Sequence, residues 1–229
     1  MIPAELITLS ANEPVSAQIY YAIRKLIINC TFIPGQRLVD KEIAEQFGVS
    51  KQPVREALGR LAEAGLLKIL PQRGTFVMKI SPREVESGQF IREAVEIAVA
   101  RRAATIITED HIKLLYKNLG EQAVASGMGD IPHFLELDEE FHCLLARSIG
   151  CASAWNAIEN IKANMDRVRY LSLEKISPLD MLIEQHTQIA DGIKNRNPDQ
   201  AELAVKNHLR EILFSFTPIA EKNPEWFEQ

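Results

Sequence analysis

Apolar positions in the first 80 residues change period part-way along. Ile19, Ala22, Ile23, Leu26 and Ile27 recur in VSAQIYYAIRKLIINC (15–30) at the three- and four-residue spacing of one helix face. FIPGQRL (32–38) reads as a turn, broken by Pro34 and Gly35. DKEIAEQF (40–47) then places Ile43, Ala44 and Phe47 inward on a short helix, and Gly48 ends it. Ser50 stands where the next helix, about 51–64, needs a cap. Pro53 falls in its first turn, where a missing N–H costs little, and Val54, Leu58 and Leu61 form its buried side. After Gly65 the period shortens to two. LLKIL (66–70) and TFVMK (75–79) read as strands joined by PQRG (71–74). Helix, helix, turn, helix, hairpin is the order of a winged helix-turn-helix.

From residue 81 the helical period dominates. Ser81 opens a helix over about 82–105, and Thr108 opens another over about 109–126, with Glu109 and Asp110 in its first turn. Gly127 and Gly129 break it, and Asp130 begins a third over about 131–149. A fourth covers about 152–173, EKISPLD (174–180) turns the chain, and a fifth covers about 179–195. The sixth covers about 198–216, stopped by Pro218 and followed by a polar tail. The expected fold is therefore mainly α. A winged helix-turn-helix over 1–78 precedes an all-α antiparallel six-helix bundle over 79–229.

The composition of the 229 residues, 46% hydrophobic, supports a real core. No run of about 20 apolar residues exists, so no membrane span is expected. The opening MIPAELITLSANEP lacks the basic and apolar regions of a secretion signal. Cys30, Cys143 and Cys151 show no ligand spacing and suit a reducing compartment, so a cytoplasmic location is expected. The net charge of -5 conceals a split: residues 1–80 carry +3 and residues 81–229 carry -8. A basic head on an acidic body revives a nucleic-acid role that the average would discourage.

In that head the polar start of the third helix is the part that enters a major groove. Lys51, Gln52 and Arg55 are its candidates, with Arg55 able to fork onto a guanine edge or a phosphate. Lys41 starts the supporting helix and reaches for the DNA backbone, while Arg73 and Gly74 form the wing tip. VSKQPVREALGRLAEAGLL (49–67), followed by KILPQRGTFV (68–77) and preceded by GQRLVDKEIAEQFG (35–48), closely resembles the DNA-binding domain of the GntR family of bacterial transcription regulators. The resemblance implies that Lys41, Lys51, Arg55 and the Arg73–Gly74 tip contact operator DNA. Lys51 stands where the family usually has Arg, and Gln52 where it often has Thr. Lysine cannot fork onto guanine as arginine does, so DNA binding is implied more firmly than any operator sequence.

The body carries a different chemistry. Asp138 and His142, four apart in LDEEFHC (137–143), share the face of Phe134, Phe141 and Leu145. His186 lies mid-stripe among Leu179, Leu182, Ile183, Ile189 and Ile193, and His208 among Ala201, Val205, Leu209 and Ile212. Each polar group would be costly alone on such a face. One divalent ion satisfies all four, and imidazoles with a carboxylate suit Zn or Ni first, with Fe or Mn also compatible. A histidine–aspartate hydrogen-bond network is the alternative. His111 and His133, off the stripes, read as surface residues.

FIREAVEIAVARRAA (90–104), LDEEFHCLLA (137–146), EQHTQIADGIKNRNPDQA (184–201) and NHLREIL (207–213) resemble blocks of the helical FCD effector domain of the FadR-like branch of GntR regulators. A count of six helices is similar to its smaller, VanR-like version. The resemblance implies one metal per chain at Asp138, His142, His186 and His208, and a small organic acid as effector. Arg92 either pairs with Glu96 one turn on or meets that acid; Asn164, Arg167 and Arg169 are further pocket candidates. The ending NPEWFE weakly resembles members that respond to sugar acids. The expectation is a non-enzymatic regulator, in the commoner case a repressor. It would act as a homodimer on a palindromic double-stranded operator. Two alternatives stand beside it: the ion itself as effector, and a metal-dependent hydrolase or lyase with an appended DNA-binding domain, for which no general base is evident.

Overall fold

The computed structural model describes residues 2–3, 6–159, 161–173 and 178–228, and of residue 214 the backbone alone. The chain forms two compact units. One holds Met1–Pro82 together with Ala220–Gln229, the other Arg83–Ile219.

In the first unit α1 (Val15–Ile28) packs on α3 (Lys51–Glu63). Ile19, Ile23, Leu26 and Ile27 meet Val54, Leu58 and Leu61, all essentially excluded from solvent. Between them α2 (Asp40–Phe47) ends on Gly48, whose φ of 64° is the left-handed cap that lets the chain re-enter a helix within three residues. Ser50 stands at the N-cap position of α3, but its side chain makes no capping hydrogen bond. The wing is β2 (Leu67–Leu70) against β3 (Gly74–Val77), antiparallel with Leu67 opposite Val77 and Leu70 opposite Gly74. Part of the expected turn at 32–38 is instead a third strand, β1 (Arg37–Leu38), paired with the far side of β3 to give the order β1-β3-β2. At Gly74 φ is 113°, a backbone conformation that favours glycine, and a Cβ there would lie 2.8 Å from Nε of the exposed Arg37, whose side chain would have to move.

The expected polar tail is ordered. Residues Pro224–Trp226 form a 3-10 turn, and Phe227 makes a parallel bridge to Ile80. Ile80 donates to the Trp226 carbonyl at 2.9 Å, Glu228 donates to the Ile80 carbonyl at 3.0 Å, and both Ile80 and Phe227 are buried.

The second unit is helical: α4 (Pro82–Ile106), α5 (Glu109–Met128), α6 (Ile131–Ser148), α7 (Ala152–Glu159), α8 (Ala163–Leu173), α9 (Leu179–Lys194) and α10 (Pro198–Lys222). Thr108 and Asp130 cap α5 and α6 by accepting from the backbone N–H of His111 and His133. Seven α-helices and the closing 3-10 turn among the described residues replace the expected six, and the VanR-like assignment loses the count on which it rested. The expected fourth helix is two. Apolar Trp155, Ile158, Ala163, Met165 and Val168 are buried on both sides of the break, so the pattern alone reads straight through it. Most of the expected turn 174–180 lies outside the described residues. The sixth expected helix does not stop at Pro218, which sits inside α10. Burial of Ile219 just beyond it supports the continued helix against the usual cost of an internal proline. The core runs from Val99, Ala100 and Ala103 through Phe141, Leu145, Ile189 and Ile193 to Ala201, Val205 and Leu209. No helix among the described residues is long and apolar enough to cross a membrane.

Candidate metal centre and DNA-reading face

Three helices bring the four polar stripe residues together. Asp138 and His142 come from α6, His186 from α9 and His208 from α10, each no more than 4% exposed. One donor atom from each lies within 4.8 Å of all the others. His142 Nε2 and His186 Nε2 are each 3.2 Å from His208 Nε2, and Asp138 Oδ1 is 3.2 Å from His186 Nε2. Metal–nitrogen bonds of about 2.0–2.1 Å at ordinary coordination angles place neighbouring donors about 2.9–3.3 Å apart. Those three separations therefore match the spacing of neighbouring donors in a first coordination sphere.

The opposite ring nitrogens show which atoms carry protons. On α5, Asn118 Nδ2 donates to the Leu137 carbonyl at 3.0 Å, and a carbonyl can only accept. Asn118 Oδ1 must then accept from Gln122 Nε2, at 2.7 Å. That leaves Gln122 Oε1 to accept from His186 Nδ1, at 2.9 Å. The His186 proton sits on Nδ1, and Nε2 presents a lone pair to the centre. Gln185 Oε1 lies 3.0 Å from His208 Nδ1 and offers an acceptor for a proton there. Glu96 Oε2 lies 2.6 Å from His142 Nδ1, although the ring N–H is not well aligned with it. With Gln185 taking the His208 Nδ1 proton, lone pairs on His186 and His208 face each other at 3.2 Å, an arrangement that a shared cation makes favourable. Protonation is a poor substitute. Burial lowers His186 to about 4 despite Asp138, and burial with the two neighbouring imidazoles holds His208 well below its ordinary value. Burial alone would raise the Asp138 carboxyl, but Arg169, His186 and His142 hold it well below the usual carboxylate range. Ionised carboxylate and neutral imidazoles are the states a metal needs.

Of the expected effector contacts, Arg92 and Glu96 form a buried ion pair on α4, through Arg92 Nε and Glu96 Oε1. Glu96 is drawn to about 2, since Arg92 and His142 outweigh its burial. Arg169 of α8 binds Asp138 Oδ1. Arg92 and Arg169 line a narrow cavity of about 30 Å³ beside His208, with Ser172, Leu182 and Ile212. Asn164 and Arg167 bond to each other at 3.3 Å and do not line it. Asn118, Gln122 and Gln185 were not singled out by sequence. The available signal was polar Asn118 and Gln122 spaced by four on the stripe of Leu115 and Leu119.

On the winged unit Lys51, Gln52, Arg55 and Arg73 are exposed, and Lys41 is exposed and paired with Glu45 at 3.7 Å. Gly74 stands at the start of β3 beside the turn, with the exposed Arg37 against it. Arg55 Nε donates to Asp40 at 2.8 Å.

Residues 15–77 match the model of bacterial regulatory proteins of the gntR family, and residues 89–211 match the FCD domain. The chain is 46% identical over 221 residues to the HTH-type transcriptional repressor RspR of Escherichia coli K12, covering 96% of this chain and 97% of that protein. The chain belongs to the GntR family and carries an FCD domain. An uncharacterised HTH-type regulator of Streptomyces ambofaciens is 33% identical over 91% of this chain and 88% of its own length. Among solved structures, E. coli McbR/YncC matches with a TM-score of 0.79 at 21% identity, covering 92% of this chain and 99% of that one. A putative GntR regulator from Rhodococcus sp. RHA1 gives 0.70 at 23%, covering 88% and 98%. Those two speak for the fold alone. The GntR-family chain is thus a DNA-binding transcription regulator, and its relatedness to such regulators supports a non-enzymatic role.

Proposed function

We propose that this regulator is a homodimeric repressor of a palindromic operator whose helical domain holds one Zn or Ni ion and a small organic acid, with acid binding weakening operator affinity. The observation that carries the metal is the convergence of three buried imidazole nitrogens and the Asp138 carboxylate, one donor from each within 4.8 Å of the others. The donor chemistry, three imidazoles and a carboxylate, fits such an ion. Bound there, it supplies Lewis acidity toward an anionic ligand. Arg92 and Arg169, lining the adjoining cavity, supply the cationic side. The cavity has room for about one water, so an acid must displace Arg169 from Asp138 or Arg92 from Glu96. Repression, rather than activation, is supported by the 46% identical relative, a transcriptional repressor. Lys41, Lys51, Gln52, Arg55, Arg73 and Gly74 are the proposed DNA contacts, with Arg37, which packs on the wing glycine, added to them.

The experiment is a titration of operator duplex, found by selection from a random library, with zinc-loaded protein and a panel of hydroxy and sugar acids. Weaker operator binding with an acid that measurably binds supports the reading. Unchanged operator affinity across every acid that binds removes the coupling. The narrowness of the cavity favours one second reading, in which the ion itself is the effector. Operator binding that tracks free zinc with no acid present selects it.

A further inference from the structure

The groove between the wing and α3 holds about 330 Å³ and is lined by Arg37, Asp40, Arg55, Ile69, Gly74 and Thr75 among others. A carboxylate is out of place there, because a bound duplex brings phosphates to this face. Asp40, the first residue of α2, nevertheless accepts from Arg55 Nε at 2.8 Å, with the arginine side chain 62% exposed and the aspartate 29%. An ion pair so wet contributes little to stability, so holding the fold does not explain it. Asp40 is ionised at neutral pH, as an ordinary aspartate is, and the Arg55 guanidinium holds its carboxyl lower still. Its effect is stereochemical. A guanidinium has two bidentate edges, Nη1/Nη2 and Nε/Nη2. Asp40 occupies Nε, which leaves the outer edge for the O6 and N7 acceptors of guanine.

We propose that Asp40 is a positioning residue for DNA reading: by holding Arg55 through Nε, it aims the outer edge of that guanidinium at a guanine. The inference rests on the proposal above that Arg55 contacts the operator. Without Asp40 the side chain is a mobile cation that serves any phosphate. With it, the cation selects a base, at some cost in attraction to DNA generally.

The two consequences of removing the carboxylate have opposite signs, and that makes the test sharp. Full-length, zinc-supplied protein is used to select a site from a random duplex library. Binding to that site and to a scrambled duplex is then measured for wild type, Asp40→Asn, Asp40→Glu and Arg55→Lys. For Asp40→Asn, scrambled-duplex binding should tighten about threefold while selected-site binding weakens about tenfold. Replacing the contacted guanine by 7-deazaguanine, which lacks N7, should cost wild type more than Asp40→Asn or Arg55→Lys. Asp40→Glu, which keeps the charge, should recover part of the selectivity. If both duplexes bind Asp40→Asn more tightly, Asp40 only repels phosphate and the proposal falls; equal loss on both, or no change, also overturns it. Should Asp40→Asn lower the unfolding midpoint, Asp40→Glu decides: selected-over-scrambled preference above that of Asp40→Asn supports the proposal, and preference no better than that of Asp40→Asn overturns it. A wild-type chain that enriches no sequence would overturn the DNA-contact reading itself, and this inference with it.

Discussion

In the helical unit Asp138, His142, His186 and His208 are almost wholly buried, and every ring nitrogen turned away from the centre faces an oxygen of Glu96, Gln122 or Gln185. On the winged unit Arg55 pairs with Asp40 largely in water, and Lys41 with Glu45 more loosely still, both side chains about two-thirds exposed. The same kinds of group obey different rules in the two places. A buried donor left unmatched costs about 1–3 kcal/mol, so interior groups are under pressure to pair, and a chain anchored on the Leu137 carbonyl can be followed to a lone pair that faces the candidate metal centre. A surface pair is worth less than about 1 kcal/mol, so the exterior is free to be shaped by its ligand. Mutations should therefore act on the bundle through metal and fold, and on the head through DNA.

The largest effect should follow from removing a ligand. His186→Ala should abolish retention of zinc through gel filtration, read by elemental analysis against one ion per wild-type chain. Retained stoichiometric zinc would show that the four residues are a hydrogen-bond network rather than a metal centre. Next comes Gln122→Leu, which touches no ligand atom yet leaves His186 Nδ1 without its acceptor. Zinc affinity, measured by chelator competition, should fall about 10- to 100-fold. The apo protein should also lose about 1–3 kcal/mol, because the buried Asn118 and His186 groups lose their partner. An unchanged zinc affinity would mean that the Asn118–Gln122 relay does not set the tautomer.

How much of this could be read in the sequence follows the same division. The four candidate ligands stood out because a histidine or aspartate in the middle of an apolar stripe contradicts its neighbours, and four such contradictions on three helices suggest a common cause. Their supports were not legible. Gln122 breaks no pattern strongly, and Gln185 is simply the neighbour of His186 in the chain. Glu96 was paired with Arg92 from its spacing, yet its second contact, with His142, spans 46 residues and has no local mark. The break between α7 and α8 was hidden because apolar spacing continues through it. The helix past Pro218 and the Phe227 bridge to Ile80 were missed for a related reason: local propensity said stop, and burial overrode it. On the winged unit the order of elements and the family motif carried the reading, whereas Arg37 was invisible until β1 placed it against Gly74.

A smaller effect is expected on the exposed side. Arg37→Ala should weaken selected and scrambled duplexes alike, by about three- to tenfold, and reduce the salt slope by about one ion, as loss of a single phosphate contact does. Zinc content should not move. Selective loss at one base pair would instead make Arg37 a reader of sequence and blur the contrast between the two arginines of the groove.

The smallest effect tests the contrast at an intermediate depth. Tyr116 of α5 is half-buried and donates its hydroxyl to Asp191 of α9. Burial first, then the Asp191 carboxylate, push the phenol up to about 12, against about 10 in the unfolded chain. A raised value means that the folded state keeps its proton where the unfolded state has lost it. The stabilisation is therefore complete below about pH 10 and disappears as pH rises through about 12. Because the ring is only partly buried, solvent screening should keep the contribution below about 1 kcal/mol. In Tyr116→Phe the fall in stability between about pH 10 and 12 should be shallower than in wild type, measured by urea midpoints across that range. Identical slopes would show that a half-buried pair behaves like Lys41–Glu45, in water. A difference of several kcal/mol would place it with the metal centre and move the boundary between the two regimes outward.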